Sequence, residues 1–146
     1  MKHTVIERRN ALGVRSITVY LVGAGLWLTG GLWLIFHHFM VHQTELGPSP
    51  DPLEHWWLAT HGAFAFVSLW TMGLLWGVHV VRHWRAGRHR ITGALLFATL
   101  AILIVSGYLL YYLGGDKSRA LTSVVHWAIG LALPIPFLVH WLVRSR

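Results

Sequence analysis

Histidine is the most informative residue type in this 146-residue sequence, which contains eleven of them. Four of them matter most, because they lie inside long apolar segments and away from the histidines at the ends of these segments: His61, His79, His126 and His140. An ionisable side chain is costly in such surroundings and usually faces a partner within the protein. Neutral imidazoles are common metal ligands, and in haem proteins they bind the iron axially. These four histidines are therefore the candidate cofactor ligands.

Helical spacing arranges the four histidines in two pairs. His61 and His79 are eighteen positions apart, so an unbroken α-helix would project them from one face, about 27 Å apart. His126 and His140 are fourteen apart, again nearly on one face and about 21 Å apart. If the two helices are parallel, His61 meets His126 near the outer membrane surface and His79 meets His140 near the inner surface. Two facing imidazoles at each of two levels are what two six-coordinate haems require, so the sequence predicts two haem irons.

The absence of cysteine restricts how a haem could be attached. Without cysteine the chain can form no disulfide, no thiolate-ligated iron–sulfur cluster and no covalent c-type haem. The cofactor prediction is therefore two haem b groups held by histidine.

Composition indicates a membrane protein. Hydrophobic residues make up 55% of the chain and charged residues 12%, whereas soluble domains have about 25% charged residues. The formal net charge is +7, but the basic residues lie in short clusters between apolar segments. Their expected partner is membrane lipid and not nucleic acid.

Four apolar segments approach or exceed the roughly 20 residues that a membrane-spanning helix needs. They cover residues 17–40, 55–84, 91–113 and 121–143 of one membrane domain, 1–146. Lipid offers no partner for free backbone groups, and the alternating polarity of barrel strands is absent. The predicted fold class is therefore an all-α bundle of four transmembrane helices.

Arginine and lysine predict the orientation of these helices. Ten of the twelve cations lie before the first segment, between residue 82 at the end of the second segment and the start of the third, or after the fourth. The other connections carry most of the carboxylates. The positive-inside rule then places both termini in the cytoplasm of a multi-pass protein, expected in the bacterial inner membrane. The second and fourth helices accordingly run in parallel. The proline-rich outer segment 42–54 is the expected docking place for a partner.

Two further features leave alternatives open. Thr29-Gly30-Gly31-Leu32-Trp33-Leu34 is similar to Ser106-Gly107-Tyr108-Leu109-Leu110-Tyr111, which indicates either a duplication or a chance match of apolar residues. His37, His38 and His42 lie at the outer end of the first segment. They are either solvated at the interface or contribute to a metal half-site, a haem edge or a quinone site.

The element His126-Trp127-Ala128-Ile129-Gly130, followed by His140 and preceded by His61-Gly62, resembles the bacterial four-helix dihaem b-type cytochromes. These are the membrane subunits that link respiratory dehydrogenases and hydrogenases to quinone, and the resemblance covers the second segment to the C-terminus. It implies an electron-transfer subunit of an oxidoreductase complex, not an enzyme by itself. The subunit would relay electrons across the membrane between quinone and a partner redox protein, a dehydrogenase or a cytochrome.

The chain departs from that family at one ligand. Several members take a haem ligand from the cytoplasmic start of the first helix, where this sequence has only His3. His79 would replace it. Two ligands from each of two helices is an arrangement more similar to the cytochrome b of quinol-oxidising complexes.

Two other functions fit parts of the pattern. One is a non-haem metal-binding membrane enzyme or transporter that uses His38 with His42 and His79 with His83, each pair four residues apart. These two pairs lie at opposite membrane faces, so they cannot share one centre. The other is a structural membrane anchor whose histidines only hydrogen-bond neighbouring helices.

Overall fold

The described part of the chain is helical except for one short hairpin and the connecting turns. A computed structural model describes residues 2–45, 47–87 and 89–144, and within them the side chains from Ile17 to Val143. In chain order its elements are α1 (Lys2–Phe39), β1 (Val41–Thr44), β2 (Gly47–Pro50), α2 (Pro52–Leu75), a π-helical turn (Trp76–Val80), α3 (Val81–Arg85), α4 (Arg90–Tyr112), α5 (Asp116–Ala132) and α6 (Pro134–Arg144).

Four helical stretches of the described chain are long and apolar enough to cross a membrane: Ile17–Phe39, Pro52–Arg85, Arg90–Tyr112 and Asp116–Val143. The all-α prediction with four such helices is confirmed. The second and fourth stretches begin earlier than the sequence predicted. Asp51 caps the second, since its Oδ1 accepts a hydrogen bond from Leu53 N at 2.8 Å and Pro52 suits a first helical turn.

The connection between α1 and α2 is a β-hairpin and not an irregular loop. Val41 pairs with Pro50 and Thr44 with Gly47 in an antiparallel register. Gly47 adopts φ 108°, a conformation that favours glycine. The Thr44 hydroxyl donates to Gly47 O at 2.7 Å and stabilises the turn.

The chain divides into two compact units, Met1–Leu75 and Trp76–Arg146. In the first unit α1 packs against α2, and in the second α4 packs against α5 and α6. The single membrane domain expected from the sequence stays a prediction.

Few side chains are buried within the described helices. Val22, Thr29, Thr71 and Ser106 are the buried residues among them, and three of these four carry a hydroxyl. Large apolar side chains such as Phe66, 77% exposed, cover the outside. An apolar exterior over a small polar interior is what a lipid solvent favours, since lipid tails solvate hydrocarbon as well as a protein core does.

Two helical stretches depart from regular α geometry. Trp76–Val80 forms a π turn, which includes His79. The spacing calculated between His61 and His79 assumed an unbroken α-helix, so it does not apply through this turn. The last stretch is interrupted at Leu133, whose N–H bonds Gly130 O at 3.3 Å in a tighter turn before Pro134 starts α6. Proline has no N–H to continue the helical ladder, which accounts for the break.

Candidate cofactor site

His61 is held by the neighbouring helix through its Nδ1 atom. Nδ1 lies 3.0 Å from Leu26 O and 3.3 Å from Thr29 Oγ1, both on α1. Thr29 is only 6% exposed, and its hydroxyl also donates to Gly25 O at 2.7 Å. The ring of the predicted outer ligand on α2 is thus oriented by two oxygen atoms of α1.

His126 and His140 are held in the same way by α4. His126 Nδ1 on α5 lies 2.9 Å from Ser106 Oγ, and Ser106 is 6% exposed. His140 Nδ1 on α6 lies 3.1 Å from Thr92 Oγ1. Three of the four predicted ligands therefore have a hydroxyl oxygen of an adjacent helix at Nδ1.

A glycine directly follows each of these hydroxyl residues and faces the same imidazole. A Cβ added to Gly30 would lie 3.0 Å from His61 Cε1, and one added to Gly107 would lie 3.2 Å from His126 Cε1. At Gly93 the corresponding distance to His140 Cε1 is 3.7 Å, an ordinary contact. We call Thr29-Gly30, Thr92-Gly93 and Ser106-Gly107 the hydroxyl–glycine pairs: the hydroxyl bonds the ring, and the missing Cβ makes room for it.

His79 and His140, the predicted inner ligands, lie beside each other in the second unit. Their ring centroids are 6.2 Å apart and their planes are inclined by 84°. One iron bound by both rings, with metal–nitrogen distances of about 2 Å, would place the centroids on the order of 6 Å apart. The centroid separation of His79 and His140 is therefore of the size that a shared iron would need, and their joint binding of an iron stays a prediction. His83 packs against His79 at 4.4 Å, and its Nδ1 donates to His79 O at 2.8 Å.

The outer pair is not tested in the same way. His61 lies in the first unit and His126 in the second, and their joint binding of a haem iron stays a prediction. What the structure does give is the matching environment of each: a buried hydroxyl at Nδ1 and a glycine at Cε1.

The hydroxyl–glycine pairs were missed as a set by the reasoning from sequence. The similarity of Thr29-Gly30 to Ser106-Gly107 was noticed, but Thr92-Gly93 was not. A signal for it existed, because Thr92 and Ser106 are fourteen residues apart, like His126 and His140. If α4 is antiparallel to the stretch formed by α5 and α6, equal intervals place residue 92 opposite residue 140 and residue 106 opposite residue 126.

His37 and His42 pair with the carboxylates of Glu54 and Asp51 at the N-terminal end of α2. His37 Nδ1 donates to Glu54 Oε1 at 2.7 Å, and its ring stacks on Trp33 with centroids 4.7 Å apart. His42 Nε2 donates to Asp51 Oδ2 at 2.8 Å. The hydrogen bond from His42, followed by that from Leu53 N, lowers the pKa of the Asp51 carboxyl.

The predicted metal half-site of His38 and His42 assumed one helical face. The structure contradicts this assumption, since α1 ends at Phe39 and His42 lies on β1. Within the described residues, no three or more His, Cys, Asp or Glu side chains form a group that could hold a metal ion. A haem iron bound by two histidines needs no such group, because the porphyrin supplies the other four nitrogen atoms.

Comparison of the chain with models of protein families, with curated proteins and with solved structures finds no match in any of the three. The resemblance to dihaem b-type cytochromes therefore rests on the histidine and glycine elements of the sequence. Any functional assignment has to come from the geometry of these histidines.

Proposed function

We propose that this chain is a dihaem b-type membrane cytochrome that relays electrons across a bilayer. The observation that carries the proposal is the pair His79 and His140, whose rings lie 6.2 Å apart at 84°. This separation is compatible with two imidazoles that bind one metal ion, and it also lies in the range of ordinary edge-to-face ring contacts. Histidine is costly within membrane-spanning helices, so two of them side by side favour a functional explanation.

His79 and His140 would hold the inner haem iron, and His61 and His126 the outer one. When bound, haem b supplies reversible one-electron exchange at its iron. The chain orients the imidazoles of His61, His126 and His140 through their Nδ1 atoms. Such contacts influence the reduction potential of a bound haem through the basicity of the ligand. Electrons would pass between quinone and a partner redox protein, either a dehydrogenase or a cytochrome subunit.

Charge at the helix ends supports a cytoplasmic location for both termini, in a bacterial inner membrane. Arg82, Arg85 and Arg90 flank the turn between α3 and α4, whereas Asp51 and Glu54 lie at the opposite end of the second stretch. Because the chain has no native cysteine, single cysteines test this directly. An impermeant thiol reagent should label Thr44→Cys on intact cells, and Ala86→Cys only after the membrane is opened. The reverse pattern contradicts the orientation.

Absorption spectroscopy of the purified chain tests the haem assignment. The reduced protein should show b-type bands, with about two haems per chain by pyridine haemochrome. His79→Ala and His140→Ala should each remove one haem, and both should remove the same one. His55→Ala, at an exposed position outside the site, should keep both. A colourless protein, or metal analysis that finds zinc or copper in place of iron, contradicts the proposal.

A second candidate is a structural membrane anchor. It is favoured by the bonds from His61 to Thr29 and from His126 to Ser106, which join neighbouring helices without any cofactor. Such bonds contribute about 0.6 kcal/mol on average within membranes. An anchor would be colourless, and His126→Ala would lower the free energy of unfolding by only about that amount.

A further inference from the structure

We infer that the three hydroxyl–glycine pairs select one tautomer of the candidate ligands, with the hydrogen on Nδ1 and the lone pair on Nε2. Thr29, Ser106 and Thr92 would thus be positioning residues that act on a metal through a histidine. The tautomer argument stands on hydrogen-bond geometry. Its consequence for haem rests on the proposed function.

His61 gives the direction of the hydrogen bond most directly. Leu26 O lies 3.0 Å from His61 Nδ1, and a carbonyl oxygen can only accept, so Nδ1 must carry the hydrogen. The Thr29 hydroxyl has a single hydrogen, which it donates to Gly25 O at 2.7 Å. Its oxygen therefore presents a lone pair to the same Nδ1 atom, 3.3 Å away.

Ser106 and Thr92 repeat this arrangement on α4. Ser106 Oγ donates to Leu103 O at 3.2 Å and lies 2.9 Å from His126 Nδ1. Thr92 Oγ1 donates to His89 O at 3.3 Å and lies 3.1 Å from His140 Nδ1. A hydroxyl that donates its one hydrogen to the carbonyl three residues earlier can only accept from the histidine, and this is the direction that we infer at both sites, by analogy with Thr29.

A neutral imidazole with its hydrogen on Nδ1 binds metal through Nε2. An acceptor at Nδ1–H draws that hydrogen away from the ring and makes Nε2 a stronger donor. Stronger donation stabilises ferric more than ferrous iron, which lowers the reduction potential. The hydroxyls would therefore hold each ring in a metal-binding tautomer and also adjust the potential of the haem that it ligates.

Redox titration of the purified chain tests this inference with matched variants of α4. Ser106→Ala removes the acceptor at His126, and Thr92→Val removes the acceptor at His140. Each should shift one midpoint potential upward, and the two variants should shift different haems. Ser106→Thr keeps a hydroxyl and should restore the wild-type potential. Thr99→Val is the control, since the Thr99 hydroxyl donates to Leu95 O on the same helix, and it should leave both potentials unchanged.

The outcomes separate this inference from the proposed function. Two haems with unchanged potentials in Ser106→Ala and Thr92→Val would overturn the inference and leave the cytochrome assignment intact. A colourless chain would overturn the cytochrome assignment, and ¹⁵N chemical shifts of the histidine rings would then decide the tautomer. The hydrogen on Nδ1 of His61, His126 and His140 supports the inference, and the hydrogen on Nε2 overturns it.

Discussion

The two units of the molecule contain the same contact between a hydroxyl–glycine pair and a histidine, once in the first unit and twice in the second. In Met1–Leu75, α1 presents one hydroxyl–glycine pair to His61 on α2. In Trp76–Arg146, α4 presents two such pairs, to His126 and His140. Fourteen residues after His61 the chain has Leu75, whereas fourteen residues after His126 it has His140. The recurring feature is therefore a contact between two helices and not a whole unit.

Helix packing also differs between the units. Gly25 on α1 lies so close to Phe64 on α2 that an added Cβ would overlap the aromatic ring. In the second unit, a Cβ added to Gly130 on α5 would meet Leu103 of α4 at an ordinary 3.7 Å. Close approach at Gly25 depends on glycine, whereas the position of Gly130 has room for a methyl group.

The largest effect is expected for Gly25→Ala, on the stability of the fold. Overpacking against Phe64 should lower the free energy of unfolding by about 1–3 kcal/mol. Gly130→Ala should cost less than about 1 kcal/mol, because its Cβ finds space and alanine favours a helix over glycine. Gly23→Ala, which meets nothing within 4 Å, is the control in the same helix. Unfolding in detergent measures all three, and equal losses at Gly25 and Gly130 would remove the difference between the units.

Alanine substitution of the glycines that face an imidazole should have an intermediate effect, seen as a loss of haem affinity. Gly30→Ala should displace the His61 ring, because a Cβ 3.0 Å from Cε1 is closer than contacts normally allow. If His61 binds haem, the affinity should fall by about tenfold or more. Gly107→Ala, at 3.2 Å from His126, should have a smaller effect, and Gly93→Ala, at 3.7 Å from His140, almost none. Haem content measured after dilution should be lowest in Gly30→Ala, higher in Gly107→Ala and highest in Gly93→Ala. A different order would contradict the distances from these glycines to the imidazoles.

The smallest effect is expected for the pH dependence of the β1–β2 hairpin in the first unit. The Asp51 pKa is lowered from its ordinary value of 3.8, so the ionised carboxylate stabilises the folded hairpin above that value. This stabilisation is lost as the pH falls below 3.8 and through the lowered pKa. The acid change in the hairpin amide NMR shifts that depends on Asp51, measured as the difference between the wild type and Asp51→Asn, should have its midpoint below 3.8. Glu54→Gln should keep this Asp51-dependent change, while a midpoint above 3.8 for it would contradict the direction of the shift.

Much of the fold could be predicted from the sequence, because membrane-spanning helices depend on local properties. Length, hydropathy and the absence of alternating polarity are read along the chain, and they placed four helices at nearly the right residues. Irregular geometry was harder to predict. The break before Pro134 has a local cause, whereas no residue pattern in Trp76–Val80 predicts a π turn. The prolines in 48–52 indicated an extended backbone but did not indicate the register of β1 and β2.

The features of the candidate site likewise divide into those that the sequence predicts and those that depend on the tertiary structure. The sequence alone determined which residues could be ligands, because histidine within an apolar helix is identifiable by type and position. The sequence predicted that His79 faces His140, and the tertiary structure places their ring centroids 6.2 Å apart. Only the tertiary structure decided that Thr29, Ser106 and Thr92 lie at imidazole Nδ1 atoms. These contacts join residues between 20 and 61 positions apart. They depend on how neighbouring helices are rotated and how closely they approach. Packing around glycine sets this rotation and distance, and no local sequence pattern encodes them.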